Sequence, residues 1–282
     1  MKIGINSMVW KAPLTNDDLY LVQRAKDMGY DVFEVVIGRE PPRFDVGLMR
    51  RALDEAGIGR TLCGGLSDDM DITSADPAVR NKGIDFLKLG VDTAVAIGAR
   101  VWLGALSSAI GRRGTMSADE RARQWECSVE SLRKVAPYAD KAGVRLAVEV
   151  LNRWENNFLN TSEEAIRLVD EVGSPAVGIL ADTYHFNIEE VDIAQAIRDC
   201  GHRVYAFHSC ENNRSAPGHG HIPWEAVRQA LLDIKYDGPI VIESFDPQND
   251  VLSNRFAMWR PLAPDQDTLA REGLAFLRKV FG

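Results

Sequence analysis

The chain lacks most of the features that would send a protein to a membrane, a nucleic acid or an oxidising compartment. Its four cysteines, Cys63, Cys127, Cys200 and Cys210, are scattered through 282 residues. None forms a Cys-x-x-Cys pair, so neither a zinc knuckle nor a dithiol redox motif is supported, and reduced thiols in the cytoplasm are the simplest reading. No apolar run approaches the roughly 20 residues that span a bilayer. The opening Met1-Lys2-Ile3-Gly4-Ile5-Asn6 enters a strand at once and has neither the apolar core nor the cleavage site of a signal peptide. Basic residues are outnumbered, 33 Lys and Arg against 41 Asp and Glu, for a net charge of −8. Arg112-Arg113 is the one notable basic pair near a loop, so no nucleic acid and no anionic membrane is expected as a partner.

What is present is an alternation. Short apolar runs of β type alternate with longer segments of helical period, with no linker or low-complexity stretch between them. Strands are expected at 2–6, 32–37, 61–64, 100–106, 144–149, 177–182, 204–208 and 239–243. Helices are expected from Thr15 or Asn16 to Gly29, and over 46–56, 76–97, 117–141, 161–171, 191–200, 224–234 and 268–280. Leu19, Val22, Ala25 and Met28 share one face of the first helix. Asp76-Pro77 places proline at a helix start. Ser117 with Glu120, and Thr161 with Glu164, have capping-box spacing. Eight strands alternating with eight helices predict an α/β protein, a single (β/α)8 TIM barrel domain over residues 1–282. The runner-up is an open doubly wound sheet, but no Gly-rich phosphate fingerprint follows the first strand.

A barrel concentrates its chemistry at the C-terminal ends of its strands. Four consecutive strands here end in Glu149, Asp182, His208 and Glu243. Glu is rarely buried unless paired, so an acid closing an apolar strand usually faces a cation. One such tip alone reads equally well as a structural salt bridge; four neighbouring tips converge on one side of the barrel mouth. Three carboxylates and an imidazole suit a hard or borderline divalent metal ion, Mn²⁺ first, with Co²⁺ or Mg²⁺ as alternatives. Glu149 and Glu243 on opposite faces of a bound sugar could take and return a proton at one carbon, while the ion chelates adjacent carbonyl and hydroxyl oxygens and stabilises an enediolate. That sequence of events is an epimerisation.

The loops beyond the tips add Glu155, His185 and Arg214 as substrate-binding candidates, the imidazole and the cation able to hold the carbonyl end of a ketose, with Asn6 at the tip of strand one as a weaker candidate. The bland readings are a solvated loop acid for Glu155, a packing histidine for His185 and a surface arginine for Arg214. Glu34 lies mid-run among valines and reads as a structural partner inside the barrel. Trp10 fits core packing as well as the pocket. His219 and His221 look like a second metal pair, which Gly-rich loop chemistry explains equally well. Phe245, Met258 and Trp259 form an apolar group that serves either an interface or the core.

The segments EVLNRWENNFLNT (149–161), DTYHFNIEE (182–190), H-x-x-E-x-N-R (208–214), PG-x-G-x-x-PW (217–224), IESF (242–245) and the WR-x-L at Trp259 together resemble the ketose 3-epimerase family of xylose-isomerase-like barrels, which includes D-tagatose, D-allulose and L-ribulose 3-epimerases. The resemblance covers essentially the whole chain. It implies Glu149, Asp182, His208 and Glu243 as metal ligands, with Glu149 and Glu243 as the acid/base pair. It implies Glu155, His185 and Arg214 as substrate contacts, Mn²⁺ or Co²⁺ as the ion, and a homodimer or homotetramer. Ser244 stands where many members have proline, Asn6 where several carry an aromatic or imidazole ring, and Trp154 where Phe or Tyr is usual. The aromatic that often follows strand four is absent from Ser107-Ser108-Ala109-Ile110. These pocket-lining differences leave the chemistry intact and bear on sugar preference.

Two other functions use the same residues. An aldose–ketose or hydroxypyruvate-type isomerase moves the proton between neighbouring carbons on one face and needs no second opposed Glu. A metal-bound sugar sensor would bind without hydrogen exchange at any carbon.

Overall fold

The computed structural model describes residues 1–38 and 41–282. Eight parallel strands close into a barrel: β1 (Ile3–Asn6), β2 (Val32–Val36), β3 (Gly59–Gly65), β4 (Val101–Ala105), β5 (Arg145–Glu149), β6 (Val177–Asp182), β7 (Val204–His208) and β8 (Ile240–Ile242). Each pairs with the next in sequence, and β8 returns to β1. The expected fold class is therefore the observed one.

Helices surround the sheet in chain order: α1 (Tyr20–Met28), α2 (Val46–Glu55), α3 (Pro77–Ile97), α4 (Ala118–Ala142), α5 (Ser162–Val172), α6 (Thr183–Glu189), α7 (Ile193–Cys200), α8 (Trp224–Asp233), α9 (Asp250–Phe256) and α10 (Gln266–Phe281). Their ends follow local chemistry. Asp45, Asp76, Ser117, Thr161, Asp192 and Asp265 each accept a backbone N–H of the first turn. Gly29, Gly98, Gly143 and Gly173 stop their helices in the left-handed conformation. The Thr161–Glu164 capping box forms in both directions. At Ser117 only half of the expected box is made, because the Glu120 carboxylate bonds Gln124 Nε2 at 3.0 Å instead of reaching back. Two helices went unread in the sequence, α6 and α9. Each has 7 residues, about two turns, too few to show a helical period against polar neighbours.

Strand alternation sorts the core into two layers. Val36, Cys63, Leu103, Ala147, Leu180 and Ala206 cluster inside the barrel. Their strand neighbours Val35, Leu62, Trp102, Val148, Ile179 and Phe207 face outward and pack with the helices. Glu149, Asp182 and His208 each stand two residues beyond an inward residue, so the same parity turns them into the lumen above it. The register holds two of them level, Asp182 opposite His208. Among the strand boundaries that differ from expectation, one bears on the site: β8 ends at Ile242, so Glu243 is the first residue past the strand rather than its last.

Candidate metal centre and active site

Glu149, Asp182, His208 and Glu243 come together, all buried, with one potential ligand atom from each lying within 4.8 Å of the others. Ligands about 2.1 Å from one ion stand about 3.0 Å apart when adjacent and about 4.2 Å when opposed, so the cluster is on the scale of a single ion's shell. His208 supplies the sharper test of fit. Its Nε2 lies 2.8 Å from Glu34 Oε1. A carboxylate accepts there, so in the neutral ring Nε2 carries the proton and Nδ1 keeps its lone pair. Nδ1 is buried with no hydrogen-bond partner. It stands 3.6 Å from Glu243 Oε1 and 4.0 Å from Asp182 Oδ2. Three acids and an unpartnered imidazole nitrogen around one point match the donor set of a divalent cation.

Each ligand is anchored from its own element. Asp182 caps α6, its Oδ1 accepting Tyr184 N–H at 2.7 Å, which leaves Oδ2 for the site. Oδ2 receives Arg214 Nη1 at 2.9 Å and Cys210 Sγ at 3.3 Å. Arg214 Nη1 also reaches Glu243 Oε2 at 2.8 Å. Its guanidinium lies over the rings of Tyr184, at 4.0 Å, and Phe245, at 5.1 Å. The surface-arginine reading of Arg214 is thereby excluded; the residue is buried. Its backbone is left-handed, at φ 67°, a costly conformation for a side chain with a Cβ. Ser244 Oγ, donating to Arg214 O at 2.7 Å, helps to hold it.

His185 is also buried, and its Nδ1 accepts the Asn152 backbone N–H at 3.0 Å. Its proton therefore sits on Nε2, which points to Glu149 Oε1 at 3.5 Å. Glu155 is half-buried at the cavity wall, and Asn152 Nδ2 donates to it at 3.1 Å.

The environment drives the two glutamates apart. Burial raises the Glu149 carboxyl, with His185 only partly opposing it. Burial would raise Glu243 too, but His208 and Arg214 outweigh it and hold that carboxyl at about 2. Burial alone would lower the His208 imidazole; the charges of Glu34 and Glu243 prevail and hold it well above the ordinary histidine value.

A cavity of about 670 Å³ opens above the cluster. Glu149, Glu155, His185, Arg214 and Glu243 line its polar wall; Val36, Cys63, Ile110, Leu252 and Phe256 line the apolar one. Asp182 and His208 lie behind this surface. Of the four clustered residues, Glu149 and Glu243 alone face the cavity.

Not every expected residue reaches it. Asn6 is fully buried; its Nδ2 donates to Glu34 Oε1 and its Oδ1 accepts Met8 N–H, both at 2.8 Å, so it braces the barrel rather than touching a ligand. β1 ends low: Asn6 pairs with Glu34, one inward layer beneath the cavity-lining Val36. Trp10 joins the core and bonds Asp267. His219 and His221 contact Glu272 and Asn187, away from the cluster. Phe245 and Met258 are buried, Phe245 stacked on Phe256 at 3.9 Å, while Trp259 is 80% exposed. Sequence reading missed Asn152, which orients His185 and Glu155, and Glu211. The buried Glu211 accepts the N–H groups of Asn212, Gly218, Ile222 and the Trp224 indole, and so organises the loop carrying Arg214. No apolar period or strand tip marks either residue.

Fold and site together define a (β/α)8-barrel enzyme with a candidate divalent-metal centre at its C-terminal mouth. A family model for the xylose isomerase-like TIM barrel matches residues 22–280. The ketose 3-epimerase of Arthrobacter globiformis is 34% identical over 281 residues, 99% of this chain and 96% of that protein. The L-ribulose 3-epimerase of Mesorhizobium japonicum is 34% identical over 98% of this chain and 93% of its own. A crystal structure of D-allulose 3-epimerase from Methylomonas sp. in complex with D-allulose superposes with a TM-score of 0.92 at 33% identity, covering 99% of this chain and 97% of that one. The chain belongs to the xylose isomerase-like TIM barrel family, in its ketose 3-epimerase branch, and is an isomerase.

Proposed function

We propose that this enzyme epimerises free ketoses at C3, with Glu149 and Glu243 as the acid/base pair and Glu149, Asp182, His208 and Glu243 as ligands of a divalent ion. The observation that carries this reading is the division of labour within the cluster: all four side chains converge, but only the two glutamates face the cavity. The ion, when bound, supplies Lewis-acid polarisation of the ketone and its neighbouring hydroxyl.

The chain's own groups then account for the proton transfers. One glutamate removes the proton from C3 on its face, and the electron pair moves into the C2–C3 bond as charge builds on O2. Arg214 and the Nε2–H of His185, which line the same cavity, would stabilise that developing oxyanion. The other glutamate delivers a proton to C3 from the opposite face. Glu243, held ionised by His208 and Arg214, is the proposed base in one direction, and the two glutamates exchange roles in the reverse reaction. Glu155 and His185, braced by Asn152, would fix the sugar's carbonyl end.

Mn²⁺ is the proposed ion, with Co²⁺ or Mg²⁺ as alternatives, because the donor set is dominated by carboxylate oxygen. Among the described residues no helix is long and apolar enough to cross a membrane. The scattered cysteines support a cytoplasmic location and the family resemblance a homodimer or homotetramer, both as proposals; sedimentation reads the subunit count. The functional test is a panel of free ketoses, D-tagatose, D-allulose, D-fructose and L-ribulose, incubated in D₂O with Mn²⁺ and with EDTA. Deuterium at C3 with formation of the C3 epimer, abolished by EDTA, is the expected result. Label confined to C1 would move the assignment to aldose–ketose isomerisation.

A further inference from the structure

Glu34 belongs to neither the proposed ligand set nor the substrate contacts. It lies inside the barrel on β2, fully buried, level with Asn6 on one side and Thr61 on the other. A buried carboxylate is expensive unless its lone pairs are filled. Asn6 Nδ2 and His208 Nε2 both lie 2.8 Å from its Oε1, and Thr61 Oγ1 donates to Oε2 at 2.7 Å. Asn6 is itself locked, because its carbonyl oxygen is committed to Met8 N–H. The carboxylate is thus clamped from β1 and β3 and presented across the lumen to one atom of β7.

The His208 ring has no other hydrogen-bond partner among the described residues. Glu34 takes its Nε2–H, and Nδ1 is left bare beside Glu243 and Asp182. The ring has two nitrogens, and which of them keeps a lone pair depends on what the other donates to. A neutral acceptor would fix the same tautomer, but a carboxylate also raises the basicity of the opposite nitrogen.

We infer that Glu34 is a positioning residue for metal binding: it selects the His208 tautomer, fixes the ring plane and strengthens Nδ1 as a ligand. The inference rests on the metal reading above and extends it to a residue two strands from the nearest proposed ligand around the closed barrel. A purely structural Glu34 would affect folding stability without altering metal affinity or ligand field.

The experiment titrates Mn²⁺ calorimetrically into metal-stripped wild type, Glu34→Gln and Glu34→Ala, and records the visible spectrum of each Co²⁺-loaded protein. The expected loss for Glu34→Ala is about 10- to 100-fold in Mn²⁺ affinity. Glu34→Gln keeps an acceptor oxygen in place but not the charge; about 3- to 10-fold weaker binding and a displaced Co²⁺ band are expected. If the alanine variant does not fold, the glutamine variant decides. A folded variant with Kd within about twofold of wild type and an unchanged Co²⁺ band overturns the role of Glu34 while leaving the metal site standing. Wild type that binds no Mn²⁺ overturns the metal reading itself, and this inference with it.

Discussion

Arg214 places Nη1 2.8 Å from Glu243 Oε2, with both side chains buried. A cation so close in a dry site favours the ionised acid, and it is one of the two charges that hold Glu243 at about 2. Arg214→Met should therefore raise the Glu243 pKa. The base form is then lost earlier as pH falls, so the acid limb of kcat/KM moves to higher pH. With an oxyanion donor also gone, kcat/KM should drop about 100-fold or more. A pH–rate profile of the variant checks both, and an acid limb left in place would detach Arg214 from the state of Glu243.

The two cavity-facing glutamates make a paired prediction. Glu149→Gln and Glu243→Gln should each lower kcat by at least about 10²- to 10⁴-fold, the usual worth of a positioned acid or base. Each should leave the far-ultraviolet circular dichroism unchanged, because the strands do not depend on either carboxylate. Both also contribute to the cluster, so each is to be assayed at saturating Mn²⁺. Turnover close to wild type in either variant would remove that residue from the proton path.

Much of this site was legible in the sequence because a barrel makes function collinear with strand ends. Asp182 and His208 close apolar runs whose last residues can only face the mouth. Glu243 was found although its strand stops one residue short, since the turn keeps it on the same rim. The rule failed at Asn6 because strands of unequal length end at different heights, and β1 stops a layer below the cavity. Glu34, Asn152 and Glu211 act on other residues rather than on a ligand. Glu34 and Asn152 depend on partners 27 to 174 residues away that only the closed barrel brings within hydrogen-bond distance, and Glu211 on a loop without a periodic pattern. The missing partner of Nδ1 on His208 is likewise invisible until Glu34, 174 residues away in sequence, is placed at Nε2.

Glu211 yields a stability prediction independent of the metal. It accepts four N–H groups at 2.8–3.2 Å while fully buried. Glu211→Gln turns one acceptor oxygen into a donor that meets N–H groups already pointing inward. Leaving such groups unsatisfied costs about 1–3 kcal/mol or more. The loop from Ser209 to Pro223 should loosen, lowering the melting temperature and raising KM through Arg214. Hydrogen exchange at Gly218 and Ile222 reads the effect directly, and protection equal to wild type at those amides would contradict it.

Metal binding should be coupled to proton release. The charges of Glu34 and Glu243 overcome burial and hold His208 well above the ordinary histidine value, while burial raises Glu149. Both groups must give up their protons to act as ligands. The sign follows: lowering the pH protonates the competitors and weakens binding, and raising it strengthens binding until both are free. Near neutral pH, Mn²⁺ should displace about one proton from His208 Nδ1, and its affinity should fall by up to about tenfold per unit decrease in pH for each proton displaced. Titration calorimetry at one pH in two buffers of different ionisation enthalpy counts the protons. Identical heats in both buffers would mean that no net proton is displaced and that His208 already carries a free Nδ1 before the ion binds.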